Sequence, residues 1–168
     1  MAELEKAALV EALRAQGAWA EEALRRLSNE QLAQGRYEHG WNGRQILAHV
    51  AAIEWTYPRL LELAQNAGGA RRDDKGGAQA SARGGIDDYN RRQVEKREGA
   101  STGELIEEWI RNRAALVEAV EAADEELFKV EVRSAGGRTG TLASVMREVA
   151  IEHVRGHIED MVGETGAR

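Results

Sequence analysis

Apolar residues recur at helical spacing along most of the chain. Leu9, Leu13, Ala20, Leu24 and Leu27 predict a first helix from about Glu3 to Leu27, with Gly17 as its weak point. Ser28 followed by Gln31 has the form of a capping box, in which two residues three apart satisfy each other's free backbone N–H groups, and predicts a short second helical turn. Trp41-Asn42-Gly43-Arg44-Gln45 opens the next long helix, with Asn42 as its cap and Gln45 completing the box. The apolar face of that helix reads Ile46, His49, Val50, Ile53 and Tyr57. Pro58 lies inside the pattern and has no N–H to give, so it predicts a kink or an early end, with helical spacing running on to about Gln65.

Further along, Ile86 to Arg97 reads as a short amphipathic helix. Ser101 and Glu104 form another capping box, and Leu105, Trp109, Leu116 and Val120 lie along one face of a third long helix that reaches about Ala123. Phe128 to Arg133 alternates enough for a short strand. Thr139 or Thr141 caps the last helix, from about Leu142 to Val162, whose inward face reads Leu142, Met146, Val149, Ala150, His153, His157 and Met161. Glycine pairs punctuate the chain at Gly68-Gly69, Gly76-Gly77, Gly84-Gly85 and Gly136-Gly137. Residues 66–85 are polar, charged and glycine-rich and read as a flexible loop, and residues 163–168 as a frayed C-terminus. Four long helices with long connections predict an all-α fold, a four-helix bundle, with residues 1–168 forming a single domain.

Composition narrows the function. A single proline and 42% hydrophobic residues suit a helical protein. The chain has 23 basic and 29 acidic side chains, a net charge of −6, so it lacks the basic excess of a nucleic-acid or anionic-membrane binder. The longest run without Asp, Glu, Lys or Arg is the nine residues Gln45 to Ile53, against the about 20 apolar residues that cross a bilayer. The N-terminal residues MAELEKAALV carry acid early and lack the basic-then-apolar order of a secretory signal. There is no cysteine, which removes disulfides, thiolate ligands and a cysteine nucleophile together and fits a cytoplasmic location.

The chemistry rests on four histidines, His39, His49, His153 and His157. His153 and His157 are four apart, so both lie on one helix face about 5–6 Å apart at Cβ and can reach one metal ion. Apolar neighbours three and four residues away turn both toward the core, and His49 sits likewise among Ile46, Val50 and Ile53. Three inward imidazoles from two helices make a facial nitrogen site that suits a divalent metal, Zn²⁺, Ni²⁺ or Fe²⁺. The same pattern also fits core histidines hydrogen-bonded to carbonyls. His39 precedes its helix in a turn-like stretch and reads as a structural loop residue.

Other features carry less. Arg71-Arg72-Asp73-Asp74-Lys75 is a solvated charge run, and Asp87 and Asp88 suit the positive end of a helix dipole. Gly84-Gly85 lacks the elements of a phosphate loop, no Gly-x-Ser-x-Gly elbow is present, and Trp19, Trp41, Trp55 and Trp109 read as core anchors. Glu54, Asn90, Glu152 and Asp160 are candidates to orient the imidazoles, with Glu54 and Glu152 equally able to face solvent. Arg44, Arg92 and Arg155 are candidates to hold the polar tail of a ligand.

Trp41-Asn42-Gly43-Arg44-Gln45-Ile46-Leu47-Ala48-His49-Val50 resembles the Trp-Ser-x-x-acid-aliphatic-Leu-x-His-aliphatic opening of the second helix in the DinB/YfiT-like superfamily. Ala150 to Ile158 resembles its last-helix H-x-x-x-H motif, and Asp88-Tyr89-Asn90 a segment found in members related to mycothiol-dependent maleylpyruvate isomerase. Asn42 stands where that superfamily usually has Ser or Thr, and Gly43 is an unusual helix opener. The resemblance implies a four-helix bundle of DinB/YfiT-like type, commonly a homodimer. It implies a divalent metal held at His49, His153 and His157. It further implies a thiol-dependent S-transferase or isomerase that joins a small-molecule electrophile to a low-molecular-weight thiol such as mycothiol or bacillithiol. With no cysteine of its own, the chain would need that thiol as a cosubstrate. A metal-dependent hydrolase and a noncatalytic metal- or small-molecule-binding stress protein are the alternatives.

Overall fold

The computed structural model describes residues 2–35, 40–69 and 85–163. Helix α1 (Ala2–Arg25) is followed by the short α2 (Asn29–Ala33), α3 (Gly43–Glu54), α4 (Pro58–Gly69), α5 (Gly85–Glu95) and α6 (Thr102–Ala122). A 3₁₀ turn (Glu125–Lys129) leads into a two-stranded hairpin, β1 (Glu131–Arg133) and β2 (Thr139–Thr141). The last helical rod comprises α7 (Leu142–Met146), a π-turn (Arg147–Glu152) and α8 (His153–Val162). The fold is an all-α bundle of four long helical units: α1, α3–α4, α6 and the α7–α8 rod.

The caps form as the local sequence demands. Ser28 with Gln31, Asn42 with Gln45 and Ser101 with Glu104 each make both bonds of a capping box. Thr141, rather than Thr139, caps the last rod by accepting from the Ser144 N–H at 3.3 Å. Pro58 starts α4 instead of bending α3, because the chain leaves the helix at Trp55 and re-enters where a missing N–H costs nothing. Gly43 is fixed by packing: a Cβ there would lie 2.4 Å from the Gln31 carbonyl oxygen of α2. The glycine that looked anomalous as a helix opener is what lets α2 cross the start of α3.

Differences from the sequence reading are local. α4 extends through Gly69, so helix replaces the first residues of the expected 66–85 loop. Residues 70–84 lie outside the described residues, as do 164–168 of the expected frayed end and 36–39, which include His39. The expected strand over Phe128–Arg133 is half 3₁₀ turn, and its partner β2 was not foreseen. A three-residue strand carries too little alternation to signal itself; the turn closing at Gly137, with φ +88°, fixes the pairing. Gly17 does not weaken α1. The Arg113 side chain passes over it, and a Cβ would stand 3.3 Å from Arg113 Cγ.

One apolar core runs through the bundle and includes Leu13, Leu24, Ile46, Leu47, Trp109, Leu116, Phe128, Met146 and Ile158. α3 packs on α6, α5 and α8, and it is buried almost all round, from Ile46 to Glu54. Of the four tryptophans, Trp41 and Trp109 are buried and Trp19 is partly buried, as anchors should be. Trp55 corrects that reading: it is 68% exposed, because it stands where α3 ends and the chain turns outward. No helix among the described residues is long and apolar enough to cross a membrane.

Candidate functional site

His49 comes from the second turn of α3, where Trp41 and the Asn42 cap fix the start of the helix. Its ring is buried and lies 5.1 Å, centroid to centroid, from the Trp41 ring at a 44° tilt. His153 and His157 open α8 and face His49 across the α3–α8 contact. The His49 and His157 rings are 5.0 Å apart and nearly perpendicular; His49 and His153 are 6.4 Å apart and perpendicular. The Nε2 atoms of His153 and His157 stand 3.1 Å apart. All three histidines offer a ring nitrogen within 4.8 Å of the other two.

This geometry fits a metal. Nitrogens bound to a tetrahedral ion at about 2.0–2.1 Å lie about 3.3 Å from one another, and the His153–His157 pair already stands close to that spacing. Two neutral imidazoles so placed either share one proton or direct both lone pairs at a common cation; two imidazolium rings would repel. Three neutral nitrogens with no thiolate form a borderline donor set that suits Zn²⁺, Ni²⁺ or Fe²⁺. The cluster could therefore hold a divalent ion.

The structure corrects one orientation. His153 is exposed, whereas His49 and His157 are buried. A π-turn immediately precedes it, and the His153 N–H reaches back five residues to the Glu148 carbonyl. The wide turn shifts the apolar stripe by one position, so α8 buries Val154, His157, Ile158 and Met161 in place of His153. The cluster thus has two walls in the core and one rim open to solvent.

Among the candidates for orienting groups, Glu54 is wholly buried rather than solvent-facing. Its carboxylate accepts from Arg113 Nε at 2.5 Å and Nη2 at 3.2 Å. Burial pushes the Glu54 carboxyl above the usual range, and the Arg113 charge opposes that rise. Glu152 is exposed, and Asp160 is half-buried. Asn90, on α5, keeps a buried Oδ1 with no hydrogen-bond partner among the described residues. Two of the three candidate tail-binding arginines, Arg44 and Arg155, have bonds elsewhere. Arg44 Nη2 donates to the carbonyls of Arg97, at 3.1 Å, Glu98, at 2.9 Å, and Ala100, closing the turn after α5. Arg155 pairs with Glu159 at 2.7 Å and lies over the Trp19 ring at 5.3 Å.

Arg113 escaped the sequence reading. It sits on the buried face of α6 between Trp109 and Leu116, and its neighbours on that stripe are all apolar. A base in the apolar stripe of α6 and an acid in the apolar stripe of α3 form a matching pair, which was the available signal. Two surface depressions, of about 830 and 400 Å³, are lined mainly by α1 and α6 and include none of the imidazoles.

The helical bundle is consistent with the DinB/YfiT-like superfamily. Within that superfamily, the model of the mycothiol maleylpyruvate isomerase N-terminal domain matches residues 13–157, and the chain belongs to that family. The matched span takes in His49, His153 and His157. No curated protein and no solved structure matches the chain. Membership gives the chain a mycothiol-related, DinB-like functional setting.

Proposed function

We propose that this protein is a divalent-metal-dependent enzyme of the thiol-dependent S-transferase or isomerase type. It would act on a small electrophile with a low-molecular-weight thiol, of the mycothiol or bacillithiol class, as cosubstrate. The observation that carries this reading is the convergence of His49, His153 and His157 with one member at the solvent rim. When bound, a divalent ion would supply Lewis acidity and lower the pKa of a coordinated thiol or water. His49 and His157 would hold it from the core side, and His153 would complete the set at the rim while leaving access from solvent. The absence of cysteine keeps the chain's own thiols from competing for the ion. The homodimer and the cytoplasmic setting implied at the sequence level belong to the same proposal.

The test is metal content by mass spectrometry on tag-free protein beside a His153→Ala/His157→Ala double variant, followed by a screen of thiols against electrophiles. We expect about one divalent ion per chain, lost in the variant, and thiol consumption that needs His153. Metal uptake with ester hydrolysis and no thiol consumption would favour the hydrolase, and uptake without any turnover the binding protein. No metal in either protein after incubation with Zn²⁺, Ni²⁺ and Fe²⁺ would overturn the metalloenzyme reading.

A further inference from the structure

One buried cation bonds α3, which carries His49, and the π-turn that leads into α8, which carries His153 and His157. Arg113 Nε and Nη2 hold the Glu54 carboxylate of α3, five residues beyond His49. Arg113 Nη1 donates to the Leu13 carbonyl at 3.2 Å and to Gln16 Oε1, both on α1. Arg113 Nη2 also donates to the Ala150 carbonyl at 2.7 Å. Ala150 lies inside the π-turn, three residues ahead of His153. α1 makes room for this side chain at Gly17, and the Trp109 ring lies 5.2 Å from the guanidinium carbon.

A buried ion pair adds little net stability over apolar residues of the same shape, so stability alone does not account for it. A π-turn is a rare conformation that persists where its surroundings hold it. A charged donor on the Ala150 carbonyl is such a hold, since it binds the wide turn from outside its own helix. The turn decides which way His153 and His157 point, and Glu54 ties the same guanidinium to the helix that carries His49.

We propose that Arg113, oriented by Glu54 and Gln16, is the positioning residue of the imidazole cluster: it fixes the π-turn in the register that sets His153 and His157 against His49. This deepens the metal-site reading and takes its functional meaning from it.

The test uses the full chain with Arg113→Met, Arg113→Lys and, as a control for lost packing, Leu116→Ala. Leu116 is fully buried on the same helix and takes no part in the hydrogen bonds of Arg113. Two readouts are taken: hydrogen exchange across residues 147–157 of metal-free protein, and the visible spectrum and affinity of added Co²⁺. Arg113→Met should lose about tenfold or more in Co²⁺ affinity, with altered d–d bands, and should expose the amides of the π-turn selectively. Arg113→Lys should fall between Met and wild type, and it carries the comparison if the Met variant does not fold. Leu116→Ala should lower the melting temperature yet leave the Co²⁺ spectrum unchanged. A Met or Lys variant that keeps wild-type affinity and spectrum, or that changes only in step with Leu116→Ala, overturns the proposal. If wild type binds no Co²⁺, the metal reading fails by itself. Hydrogen exchange then decides alone: an unprotected π-turn in Arg113→Met keeps the positioning role, and an unchanged one ends it.

Discussion

His49 and Glu54 stand on one helix, both buried, and they meet opposite surroundings. Glu54 faces a cation from a neighbouring helix, in a contact closed by good hydrogen-bond geometry. His49 faces two more imidazoles, near a rim where one of them reaches solvent. The first arrangement is complete in itself, because opposite charges neutralise each other inside the protein. The second assembles three similar donors at one point, and like donors gain from one another only by sharing a proton or a cation. Complementary groups buried together hold a fold in register; convergent imidazoles at an opening are the arrangement the proposed metal site would use.

Breaking the complementary end should have the largest effect on stability. Glu54→Ala leaves the Arg113 charge buried without its carboxylate and should cost about 3–5 kcal/mol in denaturant unfolding. Glu54→Leu combined with Arg113→Met should recover much of that loss, because apolar residues of similar volume fill the same space. Recovery of stability without recovery of the imidazole geometry would sharpen the division between the two ends. No recovery would show the pair itself to be a main source of stability.

The next effect is read at high pH. Tyr57 is buried just beyond Glu54, and burial, with the Glu54 charge behind it, pushes the phenol well above its ordinary value of 10.0. Its folded pKa is raised, so the stability it contributes is fully present below 10.0 and is lost as pH climbs from there toward the folded value. Ultraviolet difference titration should show one tyrosine component that ionises only as the chain unfolds, and Tyr57→Phe should remove it. A Tyr57 that ionises normally in the folded chain would mean that the complementary end is wetter than its geometry implies.

The smallest effect on stability belongs to the rim. His153 is exposed, so His153→Ala should change metal-free stability by no more than about 0.5 kcal/mol. The same change should strip much of the stabilisation that added metal gives, seen as a smaller rise in melting temperature. A large loss in the metal-free state would place His153 on the structural side of the comparison.

Much of this was written locally. Ser28, Asn42, Ser101 and Thr141 cap their helices through residues three positions away, and such bonds need no tertiary context. The apolar stripes of α3 and α6 declared their buried faces, and the motifs around His49 and His153-x-x-x-His157 declared the family. The hairpin partner β2 and the end of α4 at Gly69 were not legible, since three residues of strand and a polar helical turn draw their support from neighbours. The periodicity of α3 leaves the direction of Glu54 open, because one helix cannot reveal a cation on another.

The helical bundle, its caps and the three histidines are all legible in local spacing, because each depends on residues within a turn or two of helix. Packing between helices settles the rest: the Arg113 guanidinium closes on Glu54, the last helical rod widens into a π-turn, and His153 lies at the rim while His157 lies inside. The reason is physical. A buried charge is admitted only where partners from other helices meet it, and a turn of unusual width is a rare conformation that spacing along the chain does not announce.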